Sequence, residues 1–347
     1  MDSRRILCKN NVLLTLLVSL SIIKQCSCLC GDSFSQASAA ITIAGLNRNY
    51  IAEKCVRNEP IETFKLLSVT EVIKPGTFSN LFRLTSIEMN NVGITKVEPG
   101  FLENTPDLKI IKLVQNKLQH IGKYTFDQII LNTLELSSNQ ITDISDNASE
   151  REIYYKWFVN TELTALSITH NLVTRLDAYT FSGIKGLKTI NLNYNKIQSI
   201  NPRTFSSINS LETLYLSGNM LLNANFEIRN KLRNVDLSFN KISYLPMDDF
   251  TPLWIMSIYP NPFECVCLRR FWKFISRKGI KLWETKSLRR PWKDEYPLCV
   301  AKYDNCDPNV QSYADHADEY FRLVNYDDLG KHNYRKEDEF IDLGIVN

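Results

Sequence analysis

Leu187, Ile190, Leu192, Asn195 and Ile197 return as Leu211, Leu214, Leu216, Asn219 and Leu221, each displaced by 24 residues. The spacing of Leu187, Ile190 and Leu192 suits a short strand with one buried face, because strand side chains alternate. Asn195 falls where the chain turns out of that strand, and its amide can satisfy backbone groups the turn leaves unpaired. One such unit alone exposes its apolar face, so it is stable only when stacked on copies of itself. Copies begin at Leu84, Leu108, Leu131, Leu163, Leu187, Leu211, Leu232 and Leu253, with spacings of 24, 23, 32, 24, 24, 21 and 21 residues. The turn position reads Val92, Asn116, Asn139, Asn171, Asn195, Asn219, Asn240 and Asn261. A phenylalanine recurs on the return segment as Phe78, Phe101, Phe126, Phe181, Phe205 and Phe250, which predicts a second buried column opposite the strands. A degenerate first unit surrounds Ile61, Phe64 and Leu66.

The pattern resembles a leucine-rich repeat. That resemblance implies an α/β solenoid: a curved, right-handed superhelix of about nine repeats over residues 61–263, with a parallel sheet inside and irregular or short helical segments outside. Its core grows with repeat number, so a chain of 347 residues need not divide into ordinary globular domains.

All nine cysteines lie outside the clear repeats. Arg4 and Arg5, the apolar run 12–23 and the small residues Cys26-Ser27-Cys28 read as a secretory signal peptide over 1–28, and the run is too short for a membrane span. An uncleaved anchor is the alternative. Cleavage after Cys28 leaves six cysteines in an oxidising compartment. No second hydrophobic run follows, so the expectation is a secreted, extracellular protein without stable membrane insertion.

Residues 29–60, with Cys30 and Cys55, resemble a reduced form of the disulfide-bonded N-terminal cap of extracellular leucine-rich repeat proteins. Residues 264–306 follow Asn261-Pro262-Phe263 with Cys265-Val-Cys267, a Trp-containing helical stretch, Cys299 and Cys306. This is similar to the C-terminal cysteine-rich cap of the same proteins. The likeness implies the pairs Cys265–Cys299 and Cys267–Cys306; the sequence by itself allows other connectivities. Between Cys265 and Cys299 ten Lys or Arg face three acidic residues, a local charge of +7. The tail 307–347 carries −6, sustains no heptad pattern, and reads as disordered or as folded back on the basic cap.

The 32-residue spacing marks an insertion over 145–162. It contains Asn147-Ala148-Ser149, an N-glycosylation triplet, and Tyr154, Tyr155, Trp157 and Phe158. Those aromatics either lie on the core as a short helix or anchor a partner.

No catalytic constellation emerges. The four histidines, His120, His170, His316 and His332, form no metalloprotease motif, and neither a nucleophile elbow nor a phosphate-binding loop is present. Asp248-Asp249 and Asp327-Asp328 read as solvated charge, and Cys-x-Cys reads as disulfide rather than zinc in a secretory context. The expectation is no enzyme, no cofactor and no metal. A net charge of +3 gives no general attraction to nucleic acid or membrane, so neither is expected as a partner.

What remains is surface. Three columns should face outward: Glu88, Lys112, Glu135, Ser167, Asn191, Tyr215, Asp236 and Ser257; then Asn90, Val114, Ser137, Thr169, Asn193, Ser217, Ser238 and Tyr259; then Asn91, Gln115, Ser138, His170, Tyr194, Gly218 and Phe239. His170 reads as a solvated strand residue. Tyr194, Tyr215, Asp236, Phe239 and Tyr259 are the expected partner-binding patch on the concave face. Ladders of polar side chains such as Thr189 and Thr213 are the competing reading. The expected function is recognition of an extracellular protein ligand, which the resemblance places in innate immunity, adhesion or matrix binding. The form without a coiled coil resembles secreted leucine-rich immune proteins of insects. The alternative is a structural protein that binds matrix or glycosaminoglycan through Arg269, Arg270, Lys273, Arg277 and Lys278. Oligomeric state is not legible.

Overall fold

The computed structural model describes residues 33–37, 40–44, 62–66, 71–79, 81–122, 124–126, 129–144, 162–225, 232–245, 253–258, 260–263 and 265–282. Twelve strands form one sheet. They are β1 (Ser33–Ala37), β2 (Ala40–Ala44), β3 (Thr63–Leu66), β4 (Ser86–Glu88), β5 (Ile110–Lys112) and β6 (Thr133–Glu135), followed by β7 (Ala165–Ser167), β8 (Thr189–Asn191), β9 (Thr213–Tyr215), β10 (Asn234–Asp236), β11 (Ile255–Ser257) and β12 (Lys281–Leu282). Their spatial order is their chain order. Each coil therefore lands beside the one before it, and the fold is a β-solenoid.

Register follows the repeat: Thr189 pairs with Thr213, Ile190 with Leu214 and Asn191 with Tyr215. The same alignment runs from β3 to β11, across the insertion as well, where Leu134 pairs with Leu166. The central residue of each short strand, from Ile87 to Met256, is at most 3% exposed, because it points into the coil while its neighbours point out. The expected coil starts Leu84 to Leu253 are all buried. On the far wall Phe78, Phe101, Phe126, Phe181 and Phe205 are buried as the expected column, and Phe250 lies outside the described residues. Phe101 meets Phe126 edge-on at 5.9 Å, and Phe181 stacks on Phe205 at 5.7 Å. The return segments are turns with short two-residue strands such as Arg175–Leu176 against Ser199–Ile200.

Strands that are not part of the repeats flank them at both ends of the described sheet. At the start, β1 and β2 form an antiparallel hairpin whose second strand pairs parallel with β3, so the first coil does not present a bare edge. At the other end, helix α1 (Cys265–Lys278) turns Leu268, Phe271 and Ile275 inward, and Phe271 stacks on Phe263 at 6.4 Å. β12 then adds parallel to β11. Among the described residues no helix is long and apolar enough to cross a membrane.

Candidate binding face

The turn leaving each strand is built by two adjacent residues. The first is left-handed: Asn91, Gln115, Ser138, His170, Tyr194, Gly218 and Phe239 have φ between 52° and 68°. Its N–H donates to the next coil, as from Tyr194 to the Ser217 carbonyl at 2.8 Å. The second is the asparagine, and it does more than cap its own turn. Asn195 Oδ1 accepts the Val173 N–H of the preceding coil at 3.2 Å, and its Nδ2 donates to the Ile168 carbonyl there and to its own Leu192 carbonyl. Asn219 repeats this against Ile197 and Leu192, and Asn240 against Leu221 and Leu216. A buried amide ladder thus fixes the height at which each strand exit sits. In the last coil Pro260 precedes Asn261; its ring fixes a negative φ, and its carbonyl accepts the Phe239 N–H at 3.0 Å.

The first outward column is in register as expected, running from Lys65 through Glu88, Lys112, Glu135, Ser167, Asn191, Tyr215 and Asp236 to Ser257. It divides into halves. From β3 to β6 the charges alternate, and Glu88 lies 3.9 Å from Lys65 Nζ and 3.4 Å from Lys112 Nζ. From β7 onward the column holds uncharged residues apart from Asp236.

Part of this face is internal structure rather than free surface. Ser137 and Ser167 share a hydrogen bond at 2.8 Å, as do Ser217 and Ser238. Asn193 Oδ1 accepts the Ser217 N–H at 2.7 Å. Two residues of the expected patch differ from an outward reading: Asp236 is 8% exposed and Phe239 7%. Asp236 is turned to Ser238, accepting from its N–H at 3.0 Å and its hydroxyl at 2.6 Å. Phe239 is bulky at a left-handed position beside Pro260, and apolar area gains by closing against its surroundings. The polar-ladder reading therefore holds for the serines, and the accessible aromatic surface is narrower than the sequence implied.

Tyr194 and Tyr215 stay half-buried. Tyr194 has a defined place: its ring lies 4.6 Å from the His170 ring at an interplanar angle of 34°. Its other side covers Gly218 so closely that a Cβ there would fall 2.4 Å from Tyr194 Cδ1. The three residues occupy the same left-handed position in successive coils. His170 is exposed, as the solvated reading expected, but it stands in the turn after β7 with one side of its ring on the tyrosine, and loss of water on that side pushes its pKa below the ordinary imidazole value. At the strand-entry edge Arg233 sits 4.5 Å above the ring of exposed Trp254, a contact the sequence did not signal.

Tyr259, Asn147, Cys30, Cys55, Cys299, Cys306, residues 1–28, the insertion up to 161 and the tail 307–347 lie outside the described residues, as does the side chain of Cys265. Cys267 is 4% exposed and disulfide-bonded. Among the described residues no group of His, Cys, Asp and Glu is arranged to hold a metal.

Two family models match the sequence, a leucine-rich repeat over residues 161–221 and a BspA-type leucine-rich repeat region over residues 49–151. Over those spans the coils match leucine-rich repeats. No curated protein matches the chain. Among solved leucine-rich repeat structures, human 5T4 (Wnt-activated inhibitory factor 1, trophoblast glycoprotein) aligns with a TM-score of 0.52 at 17% identity, covering 78% of this chain and 92% of that one. That likeness is one of fold. The TLR13–ssRNA13 complex aligns with a TM-score of 0.49 at 21% identity, over 57% of this chain and 29% of the TLR13 chain. The chain spans less than a third of the TLR13 polypeptide it matches.

Proposed function

We propose that this leucine-rich repeat chain is a non-catalytic recognition protein that enters the secretory route and binds a protein partner on the concave sheet face. The observation that carries the reading is the C-terminal half of that face, where Tyr194 is clamped between His170 and Gly218 and Tyr215 stands in register between Asn191 and Asp236. A half-exposed aromatic already held in place binds with little further loss of side-chain entropy. The N-terminal half is less suited, because Lys65 and Lys112 are already engaged by Glu88. Asp236 and Phe239 support the patch from beneath, and Tyr259 extends it by repeat position. Innate immunity, or cell–cell and matrix recognition, is the setting that the resemblance suggests.

Capture from the fluid bathing the producing cells tests this. The wild-type protein and a Tyr194→Ala/Tyr215→Ala variant are cross-linked there and the captured proteins compared. The expected result is loss of a specific partner with secretion unchanged; full capture by the double variant would sink the patch. The same reading assigns Cys30–Cys55, Cys265–Cys299 and Cys267–Cys306 bridges and a glycan on Asn147. Non-reducing peptide mapping of the secreted protein checks both.

A further inference from the structure

The exposed side of helix α1 carries a second kind of surface. Arg270, Lys273 and Arg277 are all exposed, and at 3.6 residues per turn they fall within about 60° of arc. The helix contains no acidic residue. Lys278, the last residue of the helix, and Lys281 beyond it extend the charge and are exposed as well. Cations in the last helical turn also complement the helix dipole, which accounts for Arg277 and Lys278. It does not account for Arg270 and Lys273, which stand in the body of the helix. Some exposed cations of the repeats are paired, as in Lys65–Glu88, Arg83–Glu62 and Lys96–Glu98, whereas others such as Lys185, Lys188 and Lys196 stand apart rather than on one stripe.

We infer that this stripe is a docking site for a sulfated polysaccharide, separate from the sheet face. The inference rests on the secretory reading for its setting, though not on the protein-binding patch. Three features favour an anionic polymer over the other anionic surfaces. A membrane-binding helix must offer its apolar side to lipid, whereas Leu268, Phe271 and Ile275 are buried against the last coil. Single-stranded nucleic acid is held by aromatic platforms interleaved with cations, and Phe271 and Trp272 of this helix pack toward the core instead. A row of point charges spanning about 10 Å along one helix face suits a repeating chain of sulfates.

The test uses the full-length secreted protein on immobilised heparin. Replacing Arg270, Lys273 and Arg277 together by Gln should weaken retention about tenfold or more near physiological salt and flatten its salt dependence. The charge-preserving Arg270→Lys/Lys273→Arg/Arg277→Lys protein should elute with the wild type, which separates lost charge from a damaged cap. Replacing the exposed Lys185, Lys188 and Lys196 of the repeats by Gln should change little. Equal elution of the Gln helix variant and the wild type overturns the proposal, as does an equal loss from the repeat lysines. Retention by vesicles of phosphatidylserine, or by single-stranded DNA, as tight as by heparin also overturns it. The Tyr194→Ala/Tyr215→Ala protein should bind heparin normally, so failure of the sheet-face reading and failure of this one are told apart.

Discussion

The ring of Tyr194 rests on the bare backbone of Gly218 one coil further along, where any β-carbon would collide with it. Glycine at this position serves the tyrosine more than the turn. Six other coils place a non-glycine residue in the same left-handed conformation. Gly218→Ala should cost about 1–2 kcal/mol, from the ring it must displace together with its left-handed backbone. Chemical denaturation measures the first effect, and the ring-current shift on His170 the second. An unshifted His170 resonance in the Ala variant would contradict the clamp.

Asn195 is bonded to two coils at once, so its removal should break bonds on both and orphan the buried Val173 N–H, while the Ile168 and Leu192 carbonyls keep Asn171 and Asn219 as donors. Asn195→Ala leaves the Val173 N–H and the Ile168 and Leu192 carbonyls without this partner. The expected cost is about 1–3 kcal/mol, read as a lowered denaturation midpoint. The exposed Asn132→Ala should stay within about 0.5 kcal/mol. Asn195→Asp should be worse than Ala, because a carboxylate would face carbonyl oxygens.

Burial separates the aromatics of the face. Phe239→Ala should destabilise by about 1–3 kcal/mol, because the ring is buried at the turn but is not part of the leucine-lined core cluster. Tyr215→Ala, at a half-exposed site, should cost about 1 kcal/mol. Thermal melts of the two variants compare them directly. A neutral Phe239→Ala would mean that its ring is not buried at the turn.

Folding lowers the His170 pKa through desolvation, so below the ordinary value of about 6.5 the unfolded chain holds more proton than the folded one. The associated stability is present above that value and is withdrawn as pH falls through it. Proton NMR should give a His170 midpoint below 6.5. His170→Gln should reduce the loss of melting temperature between about pH 7.5 and about pH 5.5. A midpoint at or above the ordinary value would contradict a ring shielded from water on its tyrosine side.

The Lys65–Glu88–Lys112 row is half-exposed and should contribute little. Glu88→Gln should cost less than about 1 kcal/mol, and the difference should vanish in concentrated salt. Paired denaturation curves at low and high NaCl measure it. A larger, salt-insensitive loss would show that Glu88 holds the sheet by something other than charge.

Strand register, the turn asparagines and the phenylalanine column were legible because each is repeated, and a repeated one-dimensional pattern leaves a stacked chain a single alignment. The outward columns were legible in order but not in exposure. Ser217, Ser238 and Asp236 are polar in sequence and buried in space, since short polar side chains on adjacent strands bond to one another. The left-handed column was missed because His170, Tyr194 and Phe239 carry no glycine signature; the geometry is imposed by the neighbouring coils. The N-terminal hairpin was missed because its strands are not written in the repeat.

By itself, then, the order of residues determined a stacked coil with a leucine-lined interior and asparagine-bound turns, because those depend on periodicity alone. Which aromatic rings remain available, that Tyr194 is held by His170 and Gly218, and that Arg270, Lys273 and Arg277 share one open side of a helix were decided only in three dimensions. Contacts between coils about two dozen residues apart depend on the shapes that meet there, and no local sequence pattern encodes those shapes.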